Sequence, residues 1–295
     1  TVLTLLETEI KSPVDIEFAS NGRDLYLLQC RAQTPARHCT PAPIPRDIPR
    51  DRLLFSAHRH VSNGSVPDIT HIVYVDPEQY SCIGSLERLT AVGRAVGKLN
   101  KLLPKRQFIL MGPGRWGSRG DIKLGVRVTY SDINNTAMLI EIARKKGDYT
   151  PDLSFGTHFF QDLVEASIRY LPLYPDEDGA VFNERFLTGS GNMLADLAPE
   201  FAALSDVVYV IDVARATDGR ALRVLMNADL DEAVGVLAAP TTTIEPAVTD
   251  EAVDRPQREQ YWRWRLRMAE RIASQIDPTR FGVVEVASRG RLGVP

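Results

Sequence analysis

The sequence predicts an α/β fold, a mixed sheet with flanking helices, with α+β as the alternative arrangement. Three observations lead there. Apolar, strand-like runs recur at HIVYV (71–75), FILM (108–111) and AMLIEIA (137–143). Between them lie segments whose apolar residues repeat at three- and four-residue steps. Glycine and proline punctuate the joints.

Taken in order, VDIEFA (14–19) and LYLLQC (25–30) flank Asn21-Gly22. Asn-Gly tolerates positive φ, so this reads as a β-hairpin. Pro35, Pro41, Pro43, Pro45 and Pro49 follow. Proline at that density excludes helix and central strand, which predicts an extended linker. Three regions result: 1–36, a linker over 37–52, and an α/β domain over 53–295.

In that domain, LLFSAHRHV (53–61) and HIVYVDP (71–77) read as strands. Ser85 can cap a helix over 86–103, whose Leu86, Leu89, Val92, Val96, Leu99 and Leu103 form one apolar face before Pro104 ends it. Strands are predicted at 107–111, about 124–130, and 137–143. A helix is predicted at 158–168 and an extended run at 168–174, where Pro172 argues for a sheet edge. Residues 181–204 look helical but broken by Gly189-Ser190-Gly191. Runs 206–214 and 220–228 read as two strands of a second hairpin around Thr217-Asp218-Gly219. A loop over 238–256, an arginine-bearing helix over 257–276 and a strand over 280–287 complete the pattern.

Composition narrows the function classes. The chain has 295 residues, 44% hydrophobic and 25% charged, with a net charge of −3. That balance gives no reason to expect nucleic acid as a partner. No apolar run reaches the length of a membrane span, so no membrane partner is expected. Cys30, Cys39 and Cys82 are odd in number and lack CxxC spacing. This disfavours a disulfide framework or a zinc site and predicts a cytoplasmic setting.

The first hairpin carries chemistry. Gln29 and Arg31 are two apart on one strand, and a hairpin can bring Glu17 onto their face. A carboxylate suits Mg²⁺ and a guanidinium suits phosphate oxygens. The bland reading is a polar outer face of an exposed hairpin.

The stretch VDIEFASNGRDLYLLQCRAQT resembles the end of the nucleotide-binding domain of the phosphoenolpyruvate synthase / pyruvate phosphate dikinase family. Asp15, Ile16, Glu17, Phe18 and Ala19 match the family's segment, as do Leu25, Tyr26, Gln29, Arg31 and Thr34; Ala32 stands where the family has proline. The resemblance implies that residues 1–36 are the carboxyl-terminal remnant of an ATP-grasp domain. It implies ATP and Mg as cofactors, with Glu17 serving Mg²⁺–ATP and Gln29 and Arg31 facing the phosphates. The chain opens Thr1-Val2-Leu3, so the rest of that domain is expected upstream, as a partner within the same protein. The family's phosphohistidine motif has no counterpart among His38, His58, His60, His71 and His158. The expected function is the carboxyl-terminal part of an ATP-dependent phosphotransferase, a kinase or dikinase acting on pyruvate or another small-molecule phosphoryl acceptor. The isolated chain is expected to be inactive. The alternative is a non-catalytic ligand-binding or scaffolding α/β domain.

Further candidates come from residues alone. Gly112, Gly114, Arg115, Trp116, Gly117, Ser118 and Arg119 form a glycine loop at a strand end. Glycines let backbone N–H groups converge on phosphate, and arginines bind phosphate or carboxylate. Trp116 can stack on a base or sugar, or simply pack. No helix is evident after the loop, so neither the Walker nor the Rossmann pattern applies. His158 and Asp162, one helical turn apart, can act as acid and base; Asp132 and Asn134 can join a metal site. Against this, Thr157 and Asp132 are ordinary capping residues. His58 and His60, two apart, share one strand face and can bind metal, but the sequence fixes no third ligand; a solvated strand is the bland reading.

Overall fold

The computed structural model describes residues 2–11, 14–20, 23, 25–32, 40–117, 125–145, 151–154 and 157–241. The predicted helix at 257–276 and strand at 280–287 lie outside the described residues.

The fold is α/β. Its centre is a five-stranded sheet of β5 (His71–Val75), β6 (Phe108–Pro113), β7 (Met138–Ile142), β8 (Arg169–Leu173) and β9 (Val208–Asp212), in the order β8-β7-β6-β5-β9. β5 to β8 run parallel, and β9 pairs antiparallel with β5. The inner strands are near-continuous apolar runs because both their faces are covered. β8 is an edge, as Pro172 predicted.

One face carries α3 (Leu86–Leu102), α4 (His158–Glu165), α6 (Leu194–Leu197) and a 3-10 segment at Pro199–Leu204. Ser85 caps α3 by accepting the Arg88 N–H. Thr157 caps α4 by accepting the Phe160 N–H. The other face packs on α5 (Glu184–Gly189) and an antiparallel sheet of β3 (Leu53–Ala57), β4 (Gly64–Ile69), β10 (Ala221–Asn227) and β11 (Glu232–Ala238), in the order β3-β11-β10-β4. The layers therefore run helix, sheet, sheet.

α2 (Pro77–Ser81) and α3 connect β5 to β6, and α4 lies between β7 and β8. The β6–β7 connection holds no α-helix among the described residues. It carries the glycine loop instead.

Three readings are corrected. Residues 208–227 are not a hairpin: β9 and β10 belong to different sheets, separated by α7 (Val213–Ala216). Asp212 starts α7 by accepting the Arg215 N–H, so Thr217-Asp218-Gly219 ends a helix rather than joining paired strands. The strand predicted near 124–130 is no strand over its described part; Gly125 makes one bridge, to Gly114, and a 3-10 turn occupies Tyr130–Asp132. His58 and His60 lie beyond the end of β3 and share no strand face; His60 has φ 55°.

Over its described part, 40–52, the proline-rich stretch forms neither helix nor strand, and it is anchored. Ala42 donates its N–H to Met226 O (3.0 Å) and accepts from Asn227 Nδ2 (3.0 Å). At the amino end, α1 (Val2–Ile10) precedes the predicted hairpin of β1 (Val14–Ser20) and β2 (Leu25–Ala32). No helix among the described residues is long and apolar enough to cross a membrane.

Candidate functional site

Over its described residues, 112–117, the glycine loop is held by backbone hydrogen bonds. After β6, Gly114 donates its N–H to Ile142 O (3.0 Å), Trp116 to Glu141 Oε1 (2.8 Å) and Gly117 to Val126 O (3.3 Å). Tyr80 of α2 clamps the returning chain by donating to Gly125 O (3.0 Å). Gly117 has φ +68°, and the ring of Phe159 lies where a Cβ would sit. Glycine meets both demands. Trp116 is fully buried and packs over Gly112, so the packing alternative holds and its ring is not an open stacking surface.

Beside this loop is a cavity of about 880 Å³ on the helical side of the sheet. Arg94 of α3, Arg115 and Gly117 of the loop, Arg127, and Phe159 and Asp162 of α4 line it. α3 approaches closely because Gly93 has no side chain; a Cβ there would stand 2.2 Å from Arg127 O. That contact sets Arg94 and Arg127 beside one another on two different segments. Among the described residues, none of the three arginines is paired with a carboxylate. Three positive groups facing one cavity favour an anionic ligand. The cavity also lies beyond the carboxyl end of β6, where α/β sheets bind ligands.

The other candidates divide. Asp132 accepts from the Thr129 N–H (2.8 Å) and hydroxyl (2.7 Å), so its cap role is met although it reaches the cavity. Asn134 accepts from Asn100 Nδ2 (3.0 Å), which ties α3 to the turn before β7. His158 opens α4 with Asp162 one turn later, but its ring lies outside the described residues, as do Ser118 and Arg119. No cluster of His, Cys, Asp and Glu among the described residues is arranged to hold a metal ion. In the hairpin, the register sets Glu17 opposite Gln29 and Asp15 opposite Arg31, with a bulge after Glu17. Arg31 lies two residues beyond Gln29 along β2.

Sequence reasoning missed Arg94, Arg127 and Glu141. Glu141 is the most informative. It sits in an otherwise apolar strand and is fully buried. Its Oε1 accepts from Trp116 N–H and Ser154 Oγ (2.6 Å); its Oε2 accepts from Ser154 N–H (2.6 Å) and Tyr170 OH (2.8 Å). One carboxylate thereby joins the glycine loop to the segment that leads into α4. Burial pushes its carboxyl up to about 7, while the four hydrogen bonds oppose that rise. The signal in the sequence was a lone charge inside MLIEI; Gly93 and Gly97 within α3 likewise marked a close approach.

Compared with known protein families, curated proteins and solved structures, the chain finds no match.

Proposed function

We propose that the region from residue 53 onward holds an anionic small molecule, the phosphoryl acceptor of an ATP-dependent phosphotransferase resembling phosphoenolpyruvate synthase. The observation that carries this is the cavity at the end of β6 with Arg94, Arg115 and Arg127, unpaired among the described residues. The first hairpin supports the nucleotide half. Its register brings Glu17 and Gln29 opposite each other with Arg31 two residues on. These residue types suit Mg²⁺–ATP: Glu17 would serve the metal, and Gln29 and Arg31 the phosphates. ATP supplies the phosphoryl group; the chain's own part is to hold charge and position, which dominates phosphoryl transfer. An upstream ATP-grasp domain and a cytoplasmic setting belong to the same proposal.

A binding role without catalysis is the second reading. It is favoured by Asp132, a cavity carboxylate already occupied by Thr129.

Calorimetry of the 295-residue chain against phosphate, pyruvate, phosphoenolpyruvate and ATP separates these readings. The proposal expects anion binding that weakens in Arg115→Ala and Arg127→Ala, with no ATP turnover by this chain alone. Binding unchanged in both variants overturns the pocket assignment. ATP turnover overturns the requirement for an upstream domain.

A further inference from the structure

We propose that Glu141 is a positioning residue for the arginine-lined pocket and takes up a proton from solvent when an anion binds there. The inference rests on reading that pocket as an anion site. Its geometry is independent of which anion is held.

Glu141 stands one residue behind the pocket wall. The Trp116 amide that it accepts lies between Arg115 and Gly117, both of which line the cavity. Ser154, bonded to the same carboxylate, accepts through its backbone oxygen from the hydroxyl of Thr157, the α4 cap (2.6 Å). Tyr170 binds Glu141 and meets the ring of Phe160 of α4 edge-on at 5.2 Å. Both walls of the pocket are therefore tied to one buried acid. A negative ligand across so thin a wall disfavours a second negative charge behind it.

The cradle accommodates either protonation state. Each carboxylate oxygen holds one fixed backbone donor and one rotatable hydroxyl. Ser154 Oγ also lies 3.1 Å from Trp116 O. When Oε1 is protonated, the new O–H donates to Ser154 Oγ, and the serine hydroxyl turns to Trp116 O. No backbone donor loses its acceptor. With burial holding this carboxyl at about 7, the exchange falls near neutrality.

The groups facing Glu141 are few. The loop presents the Trp116 amide, with Arg115 next in the chain. The 151–154 segment presents Ser154, with Asp152 exposed two residues before it. β8 presents Tyr170, and Tyr174 beyond its end is pushed up chiefly by its own burial and also by the charge of Glu141. His158 opens α4, and His158→Gln beside the wild type separates any contribution of that residue from that of Glu141.

The test uses sulfate, which does not itself titrate near neutrality, on the full chain at constant ionic strength. Binding heats at pH 7 are measured in buffers of different ionisation enthalpy, and Kd from pH 6 to 8. The wild type is expected to show buffer-dependent heat, reporting proton uptake. Its affinity should weaken about two- to fivefold from pH 6 to 8, the part of a displacement of about half to one pKa unit that this window spans. Glu141→Gln should bind sulfate with no such profile. Tyr170→Phe removes one donor from Oε2 and should move the midpoint to higher pH, which keeps the test decisive if the glutamine variant folds poorly. A profile that persists in Glu141→Gln, an unmoved midpoint in Tyr170→Phe, or buffer-independent heat in the wild type each overturns the inference. Absence of sulfate binding overturns the pocket assignment itself, a distinct outcome.

Discussion

Two arginine sites stand beyond the carboxyl ends of the central strands β6 and β7, on opposite faces of the sheet, and differ in their partners. On the side of the second sheet, Arg144 reaches Asp176 at 2.9 Å and Glu184 at 2.6 Å, and lies 5.3 Å from the Phe182 ring centre. Glu184 also accepts from Tyr74 OH (3.2 Å), so that guanidinium is one node of a closed network. On the helical side, Arg94, Arg115 and Arg127 surround a cavity, and no described carboxylate pairs with them. The first arrangement neutralises charge within the protein. The second leaves charge facing a space of small-molecule size. Arginine content alone distinguishes nothing; the partners do.

The largest effect should come from Glu141, which underlies only the open site. Glu141→Ala leaves two amides and two hydroxyls without their acceptor, at a cost of about 3 kcal/mol or more in thermal unfolding. A loss below about 1 kcal/mol would show that the loop stands without it. The same acid sets a pH dependence. Its folded value is raised from 4.5 to about 7, so the native state holds the extra proton between them. Its contribution to stability is full below pH 4.5 and declines as pH rises toward 7. Urea unfolding from pH 4.5 to 8 should show that decline, and Glu141→Gln should remove it.

Next is the helix contact. Gly93→Ala drives a methyl to 2.2 Å from Arg127 O and should cost about 1–3 kcal/mol while weakening sulfate binding. Preserved stability and affinity would mean that α3 shifts freely. Arg115→Ala and Arg127→Ala should each weaken sulfate binding roughly tenfold, about 1.4 kcal/mol, and change stability by less than about 0.5 kcal/mol. The smallest effect is at the closed site. Arg144 is 32% exposed, so Arg144→Ala should cost about 1 kcal/mol or less, with sulfate affinity untouched. Weakened sulfate binding in that variant would dissolve the contrast.

Much of the fold was legible because local signals and tertiary packing agree. The stripe of α3 from Leu89 to Leu103, its Ser85 cap and the edge position of Pro172 reappear in the structure, while Leu86 at the first turn is exposed. β4 was not legible: GSVPDI contains Pro67, and Asp68 takes a φ of 49°, so neither alternation nor propensity marks it. β11, in the middle of the second sheet, has Gly235 within its run. The false hairpin at 208–227 arose because two good strands with a turn between them carry no local sign of belonging to different sheets. The site divides the same way. Arg115 was visible beside its glycines, whereas Arg94 and Arg127 join it only through the close approach of α3. Glu141 becomes meaningful only when its four donors are known.

The indole of Trp116 has a spectroscopic consequence. It is wholly buried between the pocket wall and the core, and its N–H meets no acceptor among the described residues. Such an indole should emit at short wavelength and respond to small changes in nearby charge. With Trp262→Phe and Trp264→Phe silencing the other two tryptophans of the chain, its fluorescence becomes a built-in optical gauge of both ligand arrival and the protonation of Glu141.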